Sequence, residues 1–118
     1  AHMGTGMSVS SGLWTFPSTG FWKVECTYTA YGRGPVANTQ MRINITTNNS
    51  SYVEATASNQ CMHADDYYGT GSCSTIVDVT STTNVKVSFA VYSSANTNFN
   101  GHTASNLIHM TFIRLGDT

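Results

Sequence analysis

At 118 residues the chain suits one domain. Charged residues make up only 9% and the formal net charge is −1, so no electrostatic basis exists for binding nucleic acid or an anionic membrane. Apolar residues reach 40% and alternate regularly, which excludes a disordered chain, and no apolar run is long enough to insert as a transmembrane helix. Thr, Ser and Asn take the place of charge, as in secreted or virion-borne β proteins. Ala1-His2-Met3 reads as a cloning remnant, residues 1–6 as remnant and linker, and residues 7–118 as the domain; no signal peptide is visible.

Met7 to Phe16 holds one or two short strands, closed by Pro17-Ser-Thr-Gly20. From Phe21 to Tyr31 the pattern alternates: Trp22, Val24, Cys26, Tyr28 and Ala30 share one face, and Lys23, Glu25, Thr27 and Thr29 the other. Gly32-Arg-Gly-Pro35 is a turn. Gln40 to Thr46 places Met41, Ile43 and Ile45 inward, and Asn48-Asn-Ser-Ser51 makes a hairpin turn into a weaker strand, Tyr52 to Ser58. Cys61 to Ser72 and Ser93 to Ser105 read as polar loops. Between them, Cys73 to Val79 and Asn84 to Tyr92 read as a hairpin, with Val85, Val87, Phe89 and Val91 inward. The last strand, from Ser105, carries Leu107, Ile113 and Leu115 on one face and Ile108, Met110 and Phe112 on the other. A strand apolar on both faces is expected in the middle of a sheet and covered twice, the second cover coming from a neighbouring subunit. No helical periodicity appears, and strands every ten to fifteen residues predict a sandwich or barrel.

Chemistry finds little support. No Gly-x-Ser-x-Gly, His-Glu-x-x-His or phosphate loop is present. The adjacent Asp65 and Asp66 point opposite ways on an extended chain and make a poor acid/base pair. With His63 they read as a solvated loop, no metal being required. Cys26 reads as a small core residue. Cys61 and Cys73 bracket a Gly- and Tyr-rich loop that a disulfide would close; the alternative is two free thiols. The Asn-x-Ser/Thr triplets at Asn44, Asn48 and Asn49 follow from a composition rich in Asn, Ser and Thr. Binding is expected in the loops, where Tyr67, Tyr68 and Phe99 sit among Asn, Asp and Gly; aromatics in such company suit stacking on carbohydrate.

Gly12-Leu-Trp-Thr-Phe-Pro-Ser-Thr-Gly20-Phe-Trp22 resembles the F-x-x-P-x-x-G-x-Y signature of C1q/TNF-like jelly rolls, with Trp22 where the family usually has tyrosine. Cys73-Ser-Thr-Ile-Val-Asp-Val79 followed by Asn84-Val-Lys-Val-Ser-Phe89 resembles that family's late hairpin. The closing Thr111-Phe-Ile-Arg-Leu-Gly-Asp117 is similar to its terminal strand, most of all to domains ending marine bacteriophage tail and fibre proteins. The resemblance covers residues 11–118 and departs from the family at the start, where little precedes Ser11. It implies an all-β, two-sheet antiparallel jelly-roll sandwich in a tight homotrimer, with Ile108, Met110 and Phe112 at the trimer interface. Its job would be recognition of a host-surface glycan or protein at a virion surface, as a tail-fibre tip; the alternative is an extracellular C1q/TNF-like ligand or lectin. No enzymatic activity and no cofactor are implied, although some relatives bind calcium in loops, which makes Asp65 and Asp66 the candidate ligands. His109, near a threefold axis, would be a pH-sensitive contact.

Overall fold

The computed structural model describes residues 4–118; residues 1–3, part of the expected remnant, lie outside the described residues. Among the described residues nine strands follow in order: β1 (Ser8–Ser10), β2 (Leu13–Thr15), β3 (Gly20–Gly32), β4 (Val36–Thr46), β5 (Val53–Met62), β6 (Tyr67–Val79), β7 (Lys86–Ser93), β8 (Thr97–Phe99) and β9 (His109–Gly116). All pairings are antiparallel. One sheet has the order β1-β2-β7-β4-β5; in the other, β6 pairs one side of β3 while β8 and β9 share its other side. The two sheets pack face to face as an all-β, jelly-roll-like sandwich.

The alternation of β3 decides which face goes inside. Trp22, Val24, Cys26, Tyr28 and Ala30 are buried, whereas Lys23, Glu25, Thr27 and Thr29 stay half exposed on the outer face. Facing them from the other sheet are Met41, Ile43 and Val87, and Phe16, Val36, Met62 and Val79 complete the core. Together these side chains supply the apolar burial that holds a chain with so few ion pairs. The turn after β4 is set by Asn48, whose Oδ1 accepts from the backbone N–H groups of Ser50 (3.0 Å) and Ser51 (2.9 Å), with Asn49 in the left-handed region at φ 56°.

Two glycines are fixed by close approach. At Gly20 φ is +130°, and a Cβ would lie 2.3 Å from the backbone oxygen of Gly116, where the end of β9 meets the start of β3. At Gly71, directly opposite Tyr28, a Cβ would lie 2.5 Å from the Tyr28 ring and 2.6 Å from Ser58 Oγ. The ring cannot swing away freely, because its hydroxyl donates to the Thr39 carbonyl at 3.3 Å in the buried interior. Gly71→Ala is therefore expected to cost about 1–3 kcal/mol by overpacking, read as a lowered urea midpoint with an unchanged m-value.

Several expectations need correction. The segment Cys61 to Ser72 is not a loop: β5 runs through Met62, β6 begins at Tyr67, and only residues 63–66 connect them. The second expected loop contains β8, held to Ala30–Gly32 of β3. Cys73 to Val79 and the following strand form no hairpin. Residues 80–85 cross between the sheets, since β6 pairs β3 while β7 pairs β2 and β4. The last strand is not central. Among the described residues β9 pairs β3 alone, so its other side is a free edge.

Candidate functional site

β9 is anchored by its inward face. Phe112 packs against three aromatic rings, with centroids 5.2 Å from Trp14, 6.0 Å from Phe89 and 6.3 Å from Phe16. Ile108, Met110 and Phe112 thus rest on the protomer's own core cluster, yet each keeps part of its surface accessible. On the opposite wall, β7 shows the same incompleteness. Val87, Phe89 and Val91 alternate inward, opposite Ile45, Ile43 and Met41 of β4. Burial falls along that row, from fully buried Val87 through half-buried Phe89 to Val91, which is 50% exposed. The sandwich is therefore open along one side, between β2/β7 and β9, and the opening is apolar.

A cleft of about 730 Å³ lies at this opening, lined by Met7, Trp14, Trp22, Phe112 and the neighbours of Phe112 on β9. Consecutive residues from Met110 to Arg114 contribute to it, and consecutive strand side chains alternate faces, so the cleft follows the free edge of β9. Arg114 is the one charged side chain among its lining residues; it donates to the Thr19 carbonyl at 3.1 Å and pairs with Asp117. The outward face of β9 adds Ile113 and Leu115, both half exposed. His109 is also on that face, opposite Thr27, with Nδ1 3.3 Å from the Asn106 carbonyl, to which it donates.

The aromatic residues expected on loops separate into two environments. Tyr67 and Tyr68 open β6 and are 56% and 65% exposed. Tyr68 stands opposite Tyr31 of β3 on the outer face, ring centroids 5.0 Å apart. The Arg33 guanidinium lies 5.8 Å from the centre of the Tyr31 ring, and the Tyr31 hydroxyl donates to Asp66. That hydrogen bond holds the phenol's pKa above its ordinary value, because it favours the neutral, donating form. Phe99 does not join this group. It sits on β8 opposite Ala30, turns inward and packs on Tyr28 at 5.8 Å between centroids. Sequence reasoning missed Tyr31 and Arg33; the signal was present in the polar-face position of Tyr31, but pairing with Tyr68 required the β3–β6 register.

Asp66 adopts a left-handed φ of 63° and its N–H donates to the Gly32 carbonyl at 3.1 Å, which closes the short β5–β6 turn against the end of β3. Its carboxylate serves Tyr31. Among the described residues, no three His, Cys, Asp or Glu side chains gather where they could hold a metal ion.

The cysteines are also rearranged. Cys61 is exposed on β5, between inward-facing Gln60 and Met62 positions, and its side chain points out of the sandwich. Cys73 points into it from β6 and lies beside Cys26. Of the two readings for Cys61 and Cys73, the structure has free thiols: Cys61 points outward from one sheet and Cys73 inward from the other.

No family model matches the chain, and no curated protein matches its sequence.

Proposed function

We propose that this domain is a non-enzymatic recognition module that works as a homotrimer and displays its outer sheet to a surface glycan. The observation that carries this reading is the open apolar seam. Trp14, Phe89, Val91, Met110 and Phe112 face the sandwich interior without being closed over by it, and β9 offers a free edge beside them. A half-covered inner face is the surface a second copy of the chain would complete, with aromatic and Met anchors at its centre. The cleft at the seam holds no carboxylate pair, no nucleophile–base pair and no histidine, which favours assembly over catalysis there.

The recognition surface is the Tyr31–Tyr68 pair with Arg33 and Asp66, with exposed Tyr67 beside it at the start of β6 on the alternate face. Exposed rings give a sugar a face to stack on, and the guanidinium and carboxylate supply a donor and an acceptor for its hydroxyls. The likeness of the closing strand to phage tail and fibre domains supports a virion-surface setting, with a host glycan as receptor.

The test is a glycan array probed with the wild-type domain and the Tyr67→Ala/Tyr68→Ala double variant. The wild type is expected to bind a defined subset of glycans. Loss of two stacking partners, each contributing about 0.5–1.5 kcal/mol, should weaken that binding roughly ten- to a hundredfold. Melting temperature should change little, since both side chains are mostly solvated. Equal binding by the variant would remove this surface from the account.

A further inference from the structure

We infer that Cys26 and Cys73 are a built disulfide site, which links the two longest strands of the domain through its core when the protein folds in an oxidising compartment. The two residues are direct partners in the β3–β6 ladder, and their sulfurs lie 3.3 Å apart. Thirteen consecutive residue pairs, from Gly20–Val79 to Gly32–Tyr67, hold this register without a bulge, so the sulfurs cannot drift apart by strand slippage. Directly opposed residues in antiparallel strands have Cα atoms about 4.5–5.5 Å apart, inside the window of about 4.4–6.8 Å that disulfides occupy. Bond formation then needs the sulfurs to close by little more than an ångström.

The surroundings specify this pair against the others. Cys26 and Cys73 are both buried among apolar side chains, whereas Cys61 is exposed and aimed away from them. In the reduced state the two thiols are held by hydrogen bonds. Cys73 Sγ lies 3.6 Å from the Met41 carbonyl, to which it donates, leaving Cys26 to donate to Cys73. Burial, followed by the contact with Cys73, pushes the Cys26 thiol from an ordinary 9.0 up to about 12. In the folded domain Cys26 therefore offers almost no thiolate to an oxidant and both sulfurs of the pair are buried, so bond formation belongs to folding, before the core closes.

The oxidant is a small-molecule disulfide of the glutathione class. A thiolate of one cysteine attacks it, releasing one small thiol and leaving a mixed disulfide. The second cysteine, deprotonated in turn, attacks that mixed disulfide at the protein sulfur and expels the other small thiol. Two protein thiols lose two electrons and two protons, and one small disulfide becomes two small thiols. Once formed, the bond spans 47 positions in sequence and is sealed from solvent by the same packing that shielded the thiols.

The test refolds reduced, denatured protein in a mixture of oxidised and reduced glutathione, then alkylates the remaining thiols. Trypsin cuts after Lys23, Arg33 and Arg42 but leaves Cys61 and Cys73 on one peptide, so a protease cutting before Asp65 is added to separate them. The expected product joins the Cys26 and Cys73 peptides and carries Cys61 alkylated or glutathionylated. It should melt several degrees above the reduced protein. Cys61→Ser should keep both the cross-link and the shift; Cys26→Ala should lose both. If Cys26→Ala does not fold, peptide mapping of the wild type and of Cys61→Ser still decides. A Cys61–Cys73 or Cys26–Cys61 link, or three unlinked cysteines after complete refolding, would overturn the inference.

Discussion

Phe112→Asp is expected to abolish cooperative folding, whereas Lys23→Asp leaves the domain within about 1 kcal/mol of wild type. The two residues sit on paired strands and differ mainly in which way they face. Phe112 contacts three aromatic rings at the junction of the sheets, at 5.2, 6.0 and 6.3 Å between centroids. Truncating a phenylalanine in such a site costs about 3–5 kcal/mol, and a carboxylate in its place adds the cost of an unpaired charge against apolar surface. A domain of this size has only about 5–15 kcal/mol to lose. Lys23 is on the outer face, pairing with Glu25 at 2.9 Å with both side chains more than a third exposed. Urea melts followed by tryptophan fluorescence check the contrast, since Trp14 stacks on Phe112. Equal losses for both variants would mean that the inward face of β9 is misassigned.

The second large effect is on assembly. Val91→Arg should leave the protomer folded and dissociate the proposed trimer. Val91 shares the inner face with Phe89 and Val87 but is half solvated in the protomer, so an arginine there can extend into water when the chain is alone. In the assembled state three guanidinium groups would enter a closed apolar seam without carboxylate partners, a penalty of several kcal/mol per copy. Sedimentation should give a folded monomer with an unchanged far-ultraviolet spectrum. A Val91→Arg protein of unchanged assembly mass would place the interface elsewhere, and an unfolded one would show that β7 needs Val91 for the protomer itself.

What the sequence made legible was largely local. The alternation from Trp22 to Ala30 identified the buried face of β3 correctly because every inward position is apolar and every outward one is polar. The Asn48 turn was readable because its side chain supplies the hydrogen bonds that close it. β6 was harder. From Tyr67 to Ser72 it is built of Tyr, Gly, Thr and Ser, which carry no apolar alternation, and its inward positions are Gly69 and Gly71 because Gln60 and Tyr28 fill the space. A strand shaped by its neighbours' bulk looks like a loop on its own. The terminal strand misled in the opposite direction. Both of its apolar faces read as covered, yet only Ile108, Met110 and Phe112 rest on the protomer's core; Ile113 and Leu115 on the other face are half exposed, and the strand lies at an edge. Sheet crossings were out of reach as well, since the connection over residues 80–85 is no longer than a hairpin loop. The Tyr31–Tyr68 pair and the Cys26–Cys73 pair both depend on one register, β3 against β6, which alternation alone does not set.

In the proposed assembly the open seam between β7 and β9 is closed by other copies of this chain. Light scattering coupled to size exclusion, at micromolar protein, tests it most directly. Closure of the seam by copies should give a single species of about three times the 12.7 kDa chain mass. A clean monomer at that concentration would contradict it.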